Sequence, residues 1–133
     1  MIPIQTVPVR NPDYETLGGA ERVRQLVDRF YDLMASLPET RGIRGQHPQD
    51  LNGSRQKLYE FLTGWLGGPQ LYAEKHGQPR LRASHTPFSI GDAERDQWLL
   101  CMRRALDEVV DNQQLRERLY ANLAKIAHHI RNT

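Results

Sequence analysis

The chain has 133 residues, 38% of them hydrophobic and 26% charged, with a formal net charge of +2. That suits one domain with a single core and argues against disorder; the excess charge is too small to mark a nucleic-acid partner. No apolar run exceeds Trp98 to Met102, the lone Cys101 can form no internal disulfide, and Met1-Ile2-Pro3-Ile4 has neither the charge nor the apolar length of an export signal. The expectation is a cytoplasmic protein without membrane or nucleic-acid partners.

Residues 1–13 carry Pro3, Pro8 and Pro12 and read as an extended arm, leaving residues 14–133 as the domain. After Gly18-Gly19, Val23, Leu26, Val27, Phe30, Tyr31 and Met34 recur at the spacing of one helix face, and Leu37-Pro38 ends the run. The stretch 38–49 holds two prolines and two glycines and predicts a loop with one short turn. Asp50 or Asn52 can cap a second helix, with Leu51, Ser54, Leu58, Phe61, Leu62 and Trp65 facing inward until Gly67-Gly68-Pro69.

Residues 70–87 are polar and predict two short helical pieces either side of Gly77-Gln78-Pro79. A third long helix starts near Gly91-Asp92, with Trp98, Cys101, Met102, Ala105, Leu106 and Val109 on one face. Cys101 within it reads as a small buried hydrophobe. Asp111-Asn112 breaks that helix, and a fourth carries Leu115, Leu119, Leu123, Ile126, Ala127 and Ile130. With no sustained alternation of period two, the class is all-α. The segment between the second and third long helices has too few apolar residues to hold itself in place.

Five histidines are available. His128 and His129 are adjacent on a helix end and predict solvent exposure, where positive charge suits the dipole. His76 precedes Gly77 in a polar turn and also reads as surface. His85 differs in its setting: from Lys75 to Gly91 the chain carries Lys75, Arg80 and Arg82 and no acid, and Phe88 and Ile90 follow as apolar anchors. It can be a surface residue, a buried hydrogen-bonded one or a metal ligand. No Glu-x-x-His pairing, cysteine-zinc spacing, phosphate loop or Ser-His-Asp arrangement is visible. One histidine, apolar helices and a basic rim fit a flat apolar cofactor with acidic arms, the description of haem.

The stretches "LGG" at 17–19, "FY" at 30–31, "FLTGWLGGPQLY" at 61–72, "HGQPRLRASHTPFSIG" at 76–91 and "ERDQWLLCM" at 94–102 resemble the truncated haemoglobins of the second group. The resemblance spans residues 14 to about 130. It implies a two-over-two helical sandwich around haem b, with His85 as the iron ligand. Tyr31, Trp98 and His47 would then stand over the gas site as hydrogen-bond donors. Ser54, Leu58 and Phe61 would line the same side, with Phe88 against the haem and Lys57, Tyr72, Arg80 and Arg82 near its propionates. Two positions depart from the family pattern. His47 replaces a common tyrosine, which makes the polarity there titratable, and Ser84 stands where an arginine is common.

What the resemblance implies is a haem protein that binds oxygen, nitric oxide or carbon monoxide. Several donors over the gas site favour redox chemistry served by a reductase, as a nitric oxide dioxygenase or a peroxidase-like catalyst for detoxification, over oxygen transport. A haem-based gas sensor and a cofactor-free helical interaction module are the competing classes.

Overall fold

The computed structural model describes residues 11–133, so the arm predicted over residues 1–13 lies mostly outside it. Its last residues are held in place. Asn11 donates to the Trp65 carbonyl at 3.3 Å, and buried Asp13 pairs with Arg118. Among the described residues there are eight α-helices and no strand: α1 (Asp13–Leu17), α2 (Gly19–Ser36), α3 (Arg41–Gly45), α4 (Asn52–Trp65), α5 (Leu71–His76), α6 (Leu81–His85), α7 (Asp92–Val109) and α8 (Gln113–Ile130). None is long and apolar enough to cross a membrane.

Helices α2 and α4 form one pair and α7 and α8 the other, with α2 packed on both α4 and α7. This is the two-over-two sandwich. The apolar stripe of α2 is buried throughout: Val23, Leu26, Val27, Phe30, Leu33 and Met34 are each no more than 4% exposed. Burial of side chains of this size contributes about 1.5–3 kcal/mol each before entropy is counted. They meet Cys101, Met102, Ala105 and Leu106 of α7 and Leu115, Leu119 and Leu123 of α8. Burial pushes the Cys101 thiol up to about 11, which leaves it a packing residue.

The helix ends follow local chemistry. Glu94 reaches back to the Gly91 N–H at 2.7 Å to start α7, and Asn112 accepts from the Leu115 N–H at 3.0 Å to start α8. At α4 the N-cap position is Leu51, without a side-chain cap. Asp50 acts one residue earlier and accepts from the Asn52 N–H at 2.9 Å, whereas Asn52 is the first helical residue. The glycine-rich stops need their glycines. Gly67 has φ +95° and lies against the Asn11 carbonyl, where a Cβ would collide.

Two short helices lie outside the predicted set. Helix α1 precedes Gly18, and α3 occupies much of the stretch read as a loop with one turn. Neither has the length to show an apolar period; α1 buries only Asp13 and Leu17, and α3 only Ile43.

Candidate functional site

No residue from Gly67 to Leu100 is fully buried, although the stretch contains Leu71, Tyr72, Leu81, Phe88, Ile90, Trp98, Leu99 and Leu100. Phe88, at 43%, is the one exposed large hydrophobic among the described residues. Here the polypeptide does not cover its own apolar surface. An open depression of about 620 Å³ runs between α5 and α6, lined by Tyr72, His76, Arg80 and Ser84 among others.

His85 ends α6 and is half-buried. Its Nδ1 lies 2.5 Å from the Leu81 carbonyl, one turn back, and 3.2 Å from Ser84 Oγ. A carbonyl only accepts, so Nδ1 carries the proton and Nε2 holds a lone pair. That is the tautomer a metal ligand requires, with the ring orientation set by its other nitrogen.

Tyr31 on α2 packs edge-on against Phe30 at 4.9 Å, and Phe30 meets Trp98 of α7 at 5.2 Å. The His47 ring stands 5.8 Å from Tyr31. Three predicted residues from three parts of the chain are thus brought into one cluster. Neither the Tyr31 hydroxyl nor the Trp98 indole N–H has a hydrogen-bond partner among the described residues, while Tyr31 is only 6% exposed. Burial pushes the Tyr31 phenol up to about 12, partly offset by the nearby Arg55 charge, so it keeps its proton. Arg55 bridges α4 to α2 through Asp28 and Asp32 at 3.2 and 2.8 Å and holds this corner together. His47 Nδ1 donates to the Ile43 carbonyl at 2.7 Å, so its Nε2 can donate only when the ring is protonated.

On α4, Leu58 and Phe61 are partly buried against the core, Ser54 is half-buried and Lys57 is exposed. Phe61 meets Tyr72 of α5 edge-on at 6.2 Å. Lys57, Arg80 and Arg82 are all exposed. None of the three forms an ion pair with a described residue, although fourteen such pairs exist elsewhere.

Residues 13–132 match the bacterial-like globin family. The chain belongs to it. This globin is 44% identical over 122 residues to the group 2 truncated hemoglobin YjbI of Bacillus subtilis, covering 92% of this chain and 89% of that one. Its fold superposes on the group II 2-on-2 hemoglobin of Agrobacterium tumefaciens with a TM-score of 0.89 at 51% identity, over 95% and 96% of the two chains. For a truncated oxygen-avid haemoglobin from Bacillus subtilis the TM-score is 0.82 at 43% identity, over 90% and 98%. Membership of the family implies that this globin binds haem and, through it, diatomic gases such as oxygen.

His76 is exposed, as its polar turn predicts, but it also makes a contact across the chain. Its Nε2 lies 3.1 Å from Glu60 Oε1, and its ring lies tilted against Tyr72 with the centroids 4.7 Å apart. Glu60 is a buried carboxylate on α4 that also accepts from Lys75 and from Gln56, each at 3.1 Å. This group ties α5 to α4 and so holds Tyr72. Sixteen residues separate His76 from Glu60, and no local spacing signals the pairing.

Burial alone would raise the Glu60 carboxyl, but bonds from Gln56, Lys75 and His76 hold it below the usual glutamate value. Its contribution to stability is therefore present above the ordinary carboxylate range and lost as the pH falls through the depressed value. Glu60→Gln should lower stability at neutral pH and flatten the loss of stability below about pH 4. Urea unfolding across pH checks this, and an unchanged acid limb would show that the cluster contributes nothing.

Proposed function

We propose that this globin binds oxygen tightly at a haem held by His85 and uses it to oxidise nitric oxide. The residues fit the group. His85 offers a free Nε2 with Nδ1 already fixed, Leu58, Phe61 and Phe88 offer apolar surface for the ring, and Lys57, Arg80 and Arg82 are cations without carboxylate partners for its acidic arms. Tyr72 supplies a hydroxyl at the same rim. When bound, haem supplies the iron that takes up the gas and exchanges one electron.

The observation that carries the reading is the pair of uncommitted donors, the Tyr31 hydroxyl and the Trp98 indole, next to one aromatic cluster. Tyr31 is buried and Trp98 half-buried, and among the described residues neither donor is taken up by the protein, so both are available to a polar ligand beside the cluster. Oxygen gains negative charge when it binds, and both donors stabilise that charge and slow its release. Slow release suits consumption of oxygen better than its transport. The high oxygen affinity named for the Bacillus subtilis structure supports the same reading. Ser54 and Leu58 shape the approach to the site, and His47 adds a third donor when protonated.

One nitric oxide, one oxygen and one electron give one nitrate, so each turnover needs an electron from an external reductase. The test mixes the reduced, oxygenated protein with nitric oxide and measures nitrate. One nitrate per protein within the mixing event is expected. Displacement of oxygen without nitrate would overturn the oxidation and leave a gas-binding protein. Absence of an intense Soret band after haem addition would remove the haem reading altogether.

A further inference from the structure

The segment that follows α8 returns to the loop behind His85. The Asn132 side-chain amide donates from Nδ2 to the Phe88 carbonyl at 2.9 Å and to the His85 carbonyl at 3.3 Å. Its Oδ1 accepts from the Ile90 N–H at 2.9 Å. The Asn132 N–H donates to the Ile90 carbonyl at 2.8 Å, and the Thr133 N–H shares that carbonyl at 3.2 Å. Beside them Arg131 pairs with Asp92, the first residue of α7, at 2.5 Å. The orientation of the amide is forced, because two carbonyls face one end and an N–H faces the other.

Helix α6 has five residues and none is buried. Packing within α6 therefore does little to fix where its last residue stands. The bond from His85 Nδ1 to the Leu81 carbonyl lies within α6; it sets the ring's tautomer but not the position of the helix. Asn132 joins the end of α6 to the start of α7 across 42 to 47 residues of chain.

We propose that Asn132 is a positioning residue for His85, clamping the 85–90 turn so that the imidazole meets a metal at a set distance and tilt. This rests on the reading of His85 as the iron ligand. Outer partners of a metal-binding histidine tune both the strength and the geometry of the bond.

The test uses full-length, haem-loaded protein with Asn132→Ala and Asn132→Asp. Alanine removes all three side-chain bonds. Aspartate keeps the shape and the acceptor for the Ile90 N–H but turns a carboxylate oxygen toward two carbonyls, so it should be the worse of the two. Three readouts are taken: the iron–histidine stretching band of the reduced, gas-free protein, haem transfer to an excess acceptor globin, and hydrogen exchange at the Ile90 amide. The expected result for Asn132→Ala is a shifted or broadened band, haem transfer about three- to tenfold faster, and loss of protection at Ile90. Asn132→Asp should exceed it in the band and in haem transfer, while its retained acceptor leaves the Ile90 amide better protected than in Asn132→Ala.

If Ile90 exchange accelerates while the band is unchanged in both variants, the clasp exists but does not position His85, and the proposal fails alone. If Asn132→Asp behaves as wild type, the donor end is idle and the proposal also fails. If wild type lacks the band, or keeps it in His85→Ala, the assignment of His85 fails and takes this proposal with it.

Discussion

His85→Ala is expected to take up haem weakly and to lose the iron–histidine stretching band of the reduced protein. No second histidine stands ready to replace it. His128 and His129 are exposed at the end of α8, His76 is bound to Glu60, and His47 belongs to the Tyr31 cluster. Among the described residues, no group of three or more His, Cys, Asp or Glu side chains could hold a metal ion instead. Haem transfer to an acceptor globin should exceed the roughly 10- to 100-fold change typical of losing an outer partner of a ligand. Because α6 buries nothing, the substitution should leave the sandwich folded, which circular dichroism checks. Free imidazole added to His85→Gly should restore the spectrum. His128→Ala and His129→Ala should bind haem as wild type does, whereas His76→Ala should keep the band but loosen α5. Full retention of haem with an unchanged reduced spectrum in His85→Ala would end the assignment.

The second large effect is expected at the gas site. Tyr31→Phe and Trp98→Phe should each speed oxygen dissociation by about tenfold, and the pair together by more than either alone. One neutral hydrogen bond contributes about 1 kcal/mol, and more when its acceptor gains charge, while about 1.4 kcal/mol is a factor of ten. The two donors sit on α2 and α7, and each is held by its own packing, so one remains when the other is removed. The proposed function gives them one ligand to share, so the effects should be coupled rather than additive. Carbon monoxide, far less polar when bound, should respond weakly to the same changes. Since the Tyr31 phenol is pushed up to about 12, it donates throughout the neutral range. Stopped-flow measurements of both gases on the four proteins decide the matter. If oxygen release is unchanged in the double variant, tight binding through these residues is wrong.

The four long helices were legible in the sequence because each repeats its apolar residues over several turns, and glycine, proline or capping residues separate them from one another. Val23 to Met34 and Leu115 to Ala127 show this most plainly, and the structure buries them as the spacing predicts. The pair α5 and α6 was legible for the opposite reason: Gly77-Gln78-Pro79 divides a segment too polar to pack by itself. His85 stood out through its neighbours, a run of cations without acids followed by Phe88 and Ile90. What joins these parts was not legible. The meeting of Tyr31, His47 and Trp98 depends on how α2, α3 and α7 cross, and only the family resemblance anticipated it. Helices α1 and α3 are too short to carry a period. The Glu60–His76 tie and the Asn132 clasp depend on side chains that meet across 16 and 42 to 47 residues. Hydrogen bonds of that kind need a donor and an acceptor placed to within a few tenths of an ångström. Periodicity decides which face of a helix turns inward, but only the packed sandwich decides which polar groups then come within reach.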